Sequence, residues 1–164
     1  MWHLAEVSLR PEMEEDALFL EDLVLAIRDS EIGYRDFAPG LRTELLRQQG
    51  QWQAAHYRTA FPNAYFLIIE VAGKRAGRLY LAHLPEEIRV IDLSIDPTYQ
   101  SHGIGTELLK RVQAEATRSA MPVRLAVIQD SAARIFYERL GFYKTGEIDG
   151  RLSMEWKAIE VSSR

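Results

Sequence analysis

Apolar positions along the chain switch between two spacings. Between Glu14 and Ser30 they fall at Ala17, Leu18, Leu20, Leu23, Val24 and Ile27, the three-and-four repeat of an amphipathic helix. The acids Glu14, Glu15 and Asp16 stand at its start, where the helix dipole favours negative charge. Gly33, Pro39 and Gly40 interrupt the pattern, and a second helical stretch runs from about residue 41 to 57 until Pro62-Asn63 ends it. Shorter runs follow. Residues 64–71 and 76–82 flank Ala72-Gly73-Lys74 and read as an antiparallel hairpin. A further strand is predicted over 89–96, after a turn at Pro85 to Glu87, and a short β-branched one over 123–127. Residues 142–148 and 152–156 flank Asp149-Gly150, a strong two-residue hairpin turn. Helices are predicted over 104–120 and over 131–140, the second stopped by Gly141, and residues 3–9 read as a short first strand. Helices interleaved with hairpins predict an α/β fold with a mixed sheet, arranged as one domain over residues 1–164.

Composition narrows the chemistry. The formal charge of −4 gives no general attraction to nucleic acid or to anionic membranes, so any anion site must be local. The absence of cysteine removes disulfides, thiolate metal sites and cysteine nucleophiles, and fits a reducing compartment. His3, His56, His83 and His102 form no close pair and have no glutamate at metalloprotease spacing, so no metal site is expected. No Gly-x-Ser-x-Gly elbow is present. No basic-then-apolar leader pattern and no apolar run of about 18 residues is seen, so a soluble cytoplasmic protein is expected.

One segment carries more chemistry than the rest. Gln100-Ser101-His102-Gly103-Ile104-Gly105-Thr106 lies between the strand ending near Ile95 and the helix over 104–120. Glycines at a strand-to-helix turn bring backbone N–H groups close to a ligand, and the helix start behind them carries partial positive charge. That is a cradle for phosphate or pyrophosphate. Its spacing, Gln-x-x-Gly-x-Gly, is neither the dinucleotide Gly-x-Gly-x-x-Gly nor the nucleotide-triphosphatase loop.

The stretch Ile91-Asp92-Leu93-Ser94-Ile95-Asp96-Pro97, followed by Gln100-x-x-Gly103-x-Gly105 and Leu108-Leu109, resembles the acyl-CoA-binding motif of the GNAT N-acetyltransferase superfamily. Ala133, Phe136-Tyr137-Glu138 and Leu140-Gly141-Phe142 are similar to that family's later motif. The asparagine position of that motif holds Asp130, which keeps the size and acceptor oxygens, loses the amide donor and adds charge. The resemblance implies a mostly antiparallel central sheet with splayed central strands flanked by helices. It also implies acetyl-CoA as cosubstrate, with direct attack of an amine on the thioester.

On this resemblance Leu93, Ser94 and Ile95 would hold the pantetheine arm through backbone hydrogen bonds, and an amide there could stabilise the developing oxyanion. Gln100, His102, Gly103, Ile104, Gly105 and Thr106 would surround the pyrophosphate, and Asp130 would lie beside the cofactor. Tyr137 matches the position whose phenol protonates the departing thiolate. A thiol of pKa around 8.5 leaves better when a phenol of pKa near 10 donates to it. Phe136 would then fill the core role beside it. Asp92 is a candidate base acting through water, or equally a structural acceptor. Regular alternation places it with Val90 and Ser94, although a bulge in this strand would change the facing. Glu70 and His83 are weaker base candidates.

In the family the first two helices wall the acceptor cleft. From Glu6 to Glu31 there are nine acids against Arg10 and Arg28, which reads either as a pull on a cationic amine or as a solvated helix face. Trp52, His56, Tyr57, Phe61, Tyr65 and Phe66 read either as an acceptor pocket or as core or dimer contact. The expected activity is acetyl transfer to a primary amine, small molecule or peptide. The alternatives are an acyl-CoA-binding regulatory module without turnover and an unrelated nucleotide-binding α/β protein. Neither nucleic acid nor membrane is an expected partner, and an edge strand in the C-terminal hairpin would allow a homodimer.

Overall fold

The computed structural model describes residues 6–28, 39–129 and 131–159. In chain order the elements are β1 (Val7–Pro11), α1 (Ala17–Arg28), α2 (Pro39–Ala60), β2 (Tyr65–Val71), β3 (Lys74–His83) and β4 (Ile88–Ile95). They are followed by α3 (Ile104–Ser119), β5 (Val123–Ile128), α4 (Ala132–Arg139), β6 (Tyr143–Ile148) and β7 (Arg151–Trp156). Short 3-10 turns, Glu14–Asp16 and Pro97–Tyr99, follow β1 and β4. The seven strands hydrogen-bond in the order β1-β2-β3-β4-β5-β7-β6, mostly antiparallel, which is the mixed α/β sheet expected. The first strand extends to Pro11, beyond the expected end at Leu9. The second helix runs from Pro39 to Ala60, longer than its apolar spacing predicts, because proline is tolerated in a first helical turn. His3, Ser30, Gly33 and Asp130 lie outside the described residues.

The chain clusters into two compact units, Met1–Tyr80 with Asp92–Ile104, and Leu81–Ile91 with Gly105–Arg164, so that β3 and β4 contribute to both. In the first unit β1 pairs antiparallel with β2, from Val7 opposite Val71 to Pro11 opposite Leu67. Ala72 and Gly73 both take positive φ, as a two-residue hairpin turn into β3 requires. Helix α1 packs on α2. Leu23, Leu46, Ile68, Ile69 and Leu79 are fully buried there.

In the second unit α3 buries Leu108, Leu109, Val112 and Ala116 along one face, the spacing its sequence predicts. Gln113 donates to the carbonyl of Leu140 at 3.0 Å and ties α3 to the end of α4. Strand β5 pairs antiparallel with β7 along its whole length. Glu155 on β7 accepts from Arg124 at 2.9 Å and from Tyr143 at 2.9 Å. Burial works against its charge, but these bonds and Lys157 together hold its carboxyl below the usual range. Strand β6 slips by one residue between Lys144 and Gly146.

Strand β4 has two departures from regularity. Its parallel pairing with β5 covers only Ile88 with Val123 and Arg89 with Arg124. In addition, the amide of Ile88 donates to Pro122, ahead of β5, whereas the amide of Asp96 donates to Ala76 on β3. Residues an even number apart in a regular strand turn their backbone groups to the same edge. The backbone therefore changes its bonding edge between Ile88 and Asp96, which lies just past the end of β4. On the β3 side the Ser94 carbonyl passes so close to Gly77 that a Cβ there would lie 2.2 Å from the oxygen and 3.0 Å from Ile95 Cα.

Gly77→Ala is expected to lower stability by about 1–3 kcal/mol through this overpacking. Gly146→Ala, whose Cβ meets nothing within 4 Å, serves as the control and should shift little. Urea unfolding of both variants checks the difference.

Candidate active site

The glycine turn begins where β4 ends. The Asp96 carboxylate accepts from the amide of Thr98 at 2.9 Å and caps the turn Pro97–Tyr99. Gln100 donates its side-chain amide back to the Ile95 carbonyl at 2.8 Å, so the first residue of the motif fastens the loop to the strand. Ser101 and Gly103 then take φ of 65° and 80°, the left-handed conformation that only glycine adopts without cost. Ser101, His102 and Gly103 are exposed, and Ile104 and Gly105 are buried as α3 starts. A helix start leaves its first N–H groups without an intrahelical partner, and left-handed residues beside it turn further amides the same way. The local geometry therefore suits an anion.

Upstream on β4, Asp92 and Ser94 share a face, as alternation predicts, and Ser94 Oγ donates to Asp92 Oδ1 at 2.5 Å. The partner that sequence reading missed is Arg78 on β3. Its Nε and Nη2 donate to the two Asp92 oxygens at 3.3 and 3.0 Å. The Arg78 side chain is 4% exposed and that of Asp92 11%. Burial alone would depress the charge on Arg78, but the adjoining carboxylate outweighs it and holds the guanidinium above its ordinary range. That guanidinium also lies 4.9 Å from the centre of the Tyr80 ring.

From Tyr80 the network continues to a second missed residue. The Tyr80 hydroxyl donates to Glu12 Oε1 at 2.5 Å, and Arg58 pairs with Oε2 of the same carboxylate. Burial, opposed by Arg78 and helped by Glu12, pushes the Tyr80 phenol well above its ordinary value, so it remains a donor. Tyr57 and Phe66 hold its ring edge-on. Glu12, Arg78 and Tyr80 line a cleft of about 530 Å³ whose other walls come from α1 and α2.

The acids near the N-terminus are not simply a solvated face. Asp16 is fully buried and accepts from Arg10 at 2.7 and 2.8 Å, pairs with Arg75 at 3.0 Å, and accepts from the Met13 amide at 2.8 Å. Because the Met13 amide is held this way, Asp16 fixes the segment that presents Glu12 to the cleft. Of the aromatic run, none lines the cleft. Tyr57 and Phe66 buttress Tyr80, and Trp52 is 73% exposed and stacked on His56. Glu70 is paired with Arg10.

In the second unit Tyr137 lies on α4, buried, with ring centres 5.0 Å from Phe136 and 5.4 Å from Phe142. The two aromatics exchange the roles expected of them, since Tyr137 takes the buried position and Phe136 is only partly covered. The reason is the helix face: α4 packs on β5, and Phe142 closes over Tyr137 just after the helix ends. Phe136 instead borders a groove with Thr106, Lys110 and Arg139. His83 pairs with Glu115 at 3.6 Å. Among the described residues no group of His, Asp or Glu is arranged to hold a metal, and no helix is long and apolar enough to cross a membrane.

The family model described as an acetyltransferase (GNAT) domain matches residues 62–144, half of the chain. The chain belongs to the GNAT acetyltransferase family. It is similar in fold to PaiA N-acetyltransferase from Thermoplasma acidophilum, solved in complex with coenzyme A, at 17% identity and a TM-score of 0.69 over 93% of this chain and 99% of that one. An acetyltransferase from Thermus thermophilus gives 18% identity and 0.67 over 93% and 97%. The Salmonella typhimurium acetyltransferase that modifies the N-terminal serine of ribosomal protein L7/L12 gives 18% and 0.63 over 94% and 96%. No curated protein sequence matches significantly.

Asp16→Asn is expected to cost about 2–3 kcal/mol, because it leaves Arg10 and Arg75 without their shared anion. The hydrogen bonds from Arg10, with help from Met13, lower the Asp16 carboxyl to about 2. Its stabilising contribution is complete above the ordinary carboxylate range and is lost as pH falls toward about 2. Denaturation series between about pH 5 and 2 should show wild-type stability dropping with acid, and a shallower drop in the variant.

Proposed function

We propose that the chain transfers an acetyl group from acetyl-CoA to a primary amine by direct attack on the thioester. The observation that supports this most is the join of β4, whose partnership with β5 is short, to the glycine turn and the start of α3, in a chain of the GNAT family. In this reading the backbone of Leu93, Ser94 and Ile95 holds the pantetheine arm, and an amide among them polarises the carbonyl as the tetrahedral intermediate forms. His102, Gly103, Ile104, Gly105 and Thr106 receive the pyrophosphate through main-chain N–H groups. Gln100 contributes by holding the turn in place. Lys110 and Arg139 supply cations along the groove that starts at Thr106, suited to a further phosphate of the cofactor.

Tyr137 is assigned as the acid that protonates the leaving thiolate. Its burial against Phe136 and Phe142 fixes the ring, which a donor of one proton requires. Of the two roles open to Asp92, its bidentate engagement by Arg78 and the bond from Ser94 favour the positioning one. With three of its roughly four acceptor positions filled, a water at the last one is the route by which it would take a proton.

Thiol release from acetyl-CoA, measured across a panel of small amines and N-terminal peptides, tests the reading. Turnover with at least one acceptor is expected. Tight acetyl-CoA binding with no release on any amine would instead support a binding module. With an active acceptor, Tyr137→Phe should lower kcat about a hundredfold and leave acetyl-CoA affinity unchanged. Unaltered turnover in that variant would remove Tyr137 from the mechanism.

A further inference from the structure

We propose that Glu12 docks the charged end of the acceptor, and that this acceptor is a primary ammonium carried on a small apolar body. The assignment rests on the transferase reading above and deepens it by naming the acceptor class. It is carried by the way charges are distributed in the cleft of the first unit. Among the described residues three arginines line it, and each already has an acid: Arg47 with Glu21, Arg78 with Asp92, and Arg58 with Glu12. Asp92 already accepts three bonds, two from Arg78 and one from Ser94, which leaves it about one acceptor position.

Glu12 differs from the other acids. It is 9% exposed, yet among the described residues only two bonds reach its side chain, from Tyr80 on one oxygen and Arg58 on the other. A carboxylate offers about four acceptor positions, so about two remain for a ligand. Tyr80 is locked beneath it by Arg78, Tyr57 and Phe66, which fixes Oε1 in place. Arg58 is the opposite case. Its side chain is 53% exposed, and its guanidinium also lies 4.4 Å from the centre of the Phe66 ring, a second attraction that persists if Glu12 is taken by another cation. Glu14 at the rim adds a further carboxylate.

The remaining wall sets the body of the ligand. Ala17, Leu20, Val24 and Ala54 add hydrocarbon to the lining. The volume of about 530 Å³ falls within the roughly 300–1,000 Å³ of small-molecule sites. A ligand carboxylate would meet Glu12 and Glu14, whereas Arg47 and Arg78 are held by Glu21 and Asp92 and a displaced Arg58 keeps its place over the Phe66 ring. The cleft therefore selects an ammonium without an adjacent carboxylate.

The test titrates pentylamine, with norleucine as its carboxylate-bearing control, into the full chain with and without CoA, by calorimetry. Wild type is expected to bind the amine at least about tenfold tighter than the amino acid. Glu12→Gln should weaken the amine about tenfold to a hundredfold without weakening the amino acid. Arg58→Ala, which removes the competing cation, should tighten the amine about threefold, a direction that a purely structural role for Glu12 does not produce. In turnover assays Glu12→Gln should raise the acceptor KM, with acetyl-CoA affinity near wild type. Equal amine affinity in wild type and Glu12→Gln, no preference over norleucine, or no amine binding at all overturns the assignment. Failure to consume acetyl-CoA with any amine overturns the transferase reading alone, because the titration still decides what Glu12 binds.

Discussion

A guanidinium with 4% of its side chain exposed has to find its counter-charge inside the protein, and Arg78 finds it on the next strand. Breaking such a pair by removing one partner is costly, since an uncompensated charge is left behind. The constraint orders much of the first unit. It fixes Asp92, and through it Ser94, on the same face of β4. It supports the Tyr80 ring, which in turn orients Glu12. One residue before Arg78, Gly77 lets the Ser94 carbonyl approach where any side chain would block it. An ion pair and a missing side chain, next to each other on β3, thus hold β4 in its irregular course.

The elements themselves are legible in the sequence because they rest on local rules. Hairpin turns at Ala72-Gly73 and Asp149-Gly150 need positive φ, and both carry it. Helix α3 announces its buried face through Leu108, Leu109, Val112 and Ala116. The glycine turn is readable for the same reason, since its residues are consecutive. The cleft of the first unit is not. Arg78 meets Asp92 across 14 residues and Tyr80 meets Glu12 across 68, and no periodicity links such positions. A weak signal is available in Arg78 itself, a charged residue in a strand otherwise buried from Ala76 to Ala82. Such a residue implies a partner without saying which. The order of Phe136 and Tyr137 is likewise beyond spacing, because adjacent residues on a short helix are sorted by what the helix packs against.

The two units divide the chemistry in a way the fold makes natural. The first holds the cleft with its paired charges and the end of β4, beyond its short pairing with β5. The second holds Tyr137 in an aromatic cluster and the basic groove beside Thr106. In the proposed reading backbone amides do much of the donor binding. That leaves the acceptor wall open to change while the donor motif stays the same.

The pairing of each described cleft arginine with its own acid also bears on how a ligand arrives. Matched charges a few ångströms apart cancel at a distance, so the cleft projects little field beyond a Debye length of about 8 Å at physiological salt. On the proposed reading an amine is then not drawn in from afar. It meets the protein by ordinary diffusion, and its capture rate should respond only weakly to ionic strength. Discrimination among amines then falls on how long each stays rather than on how fast each comes.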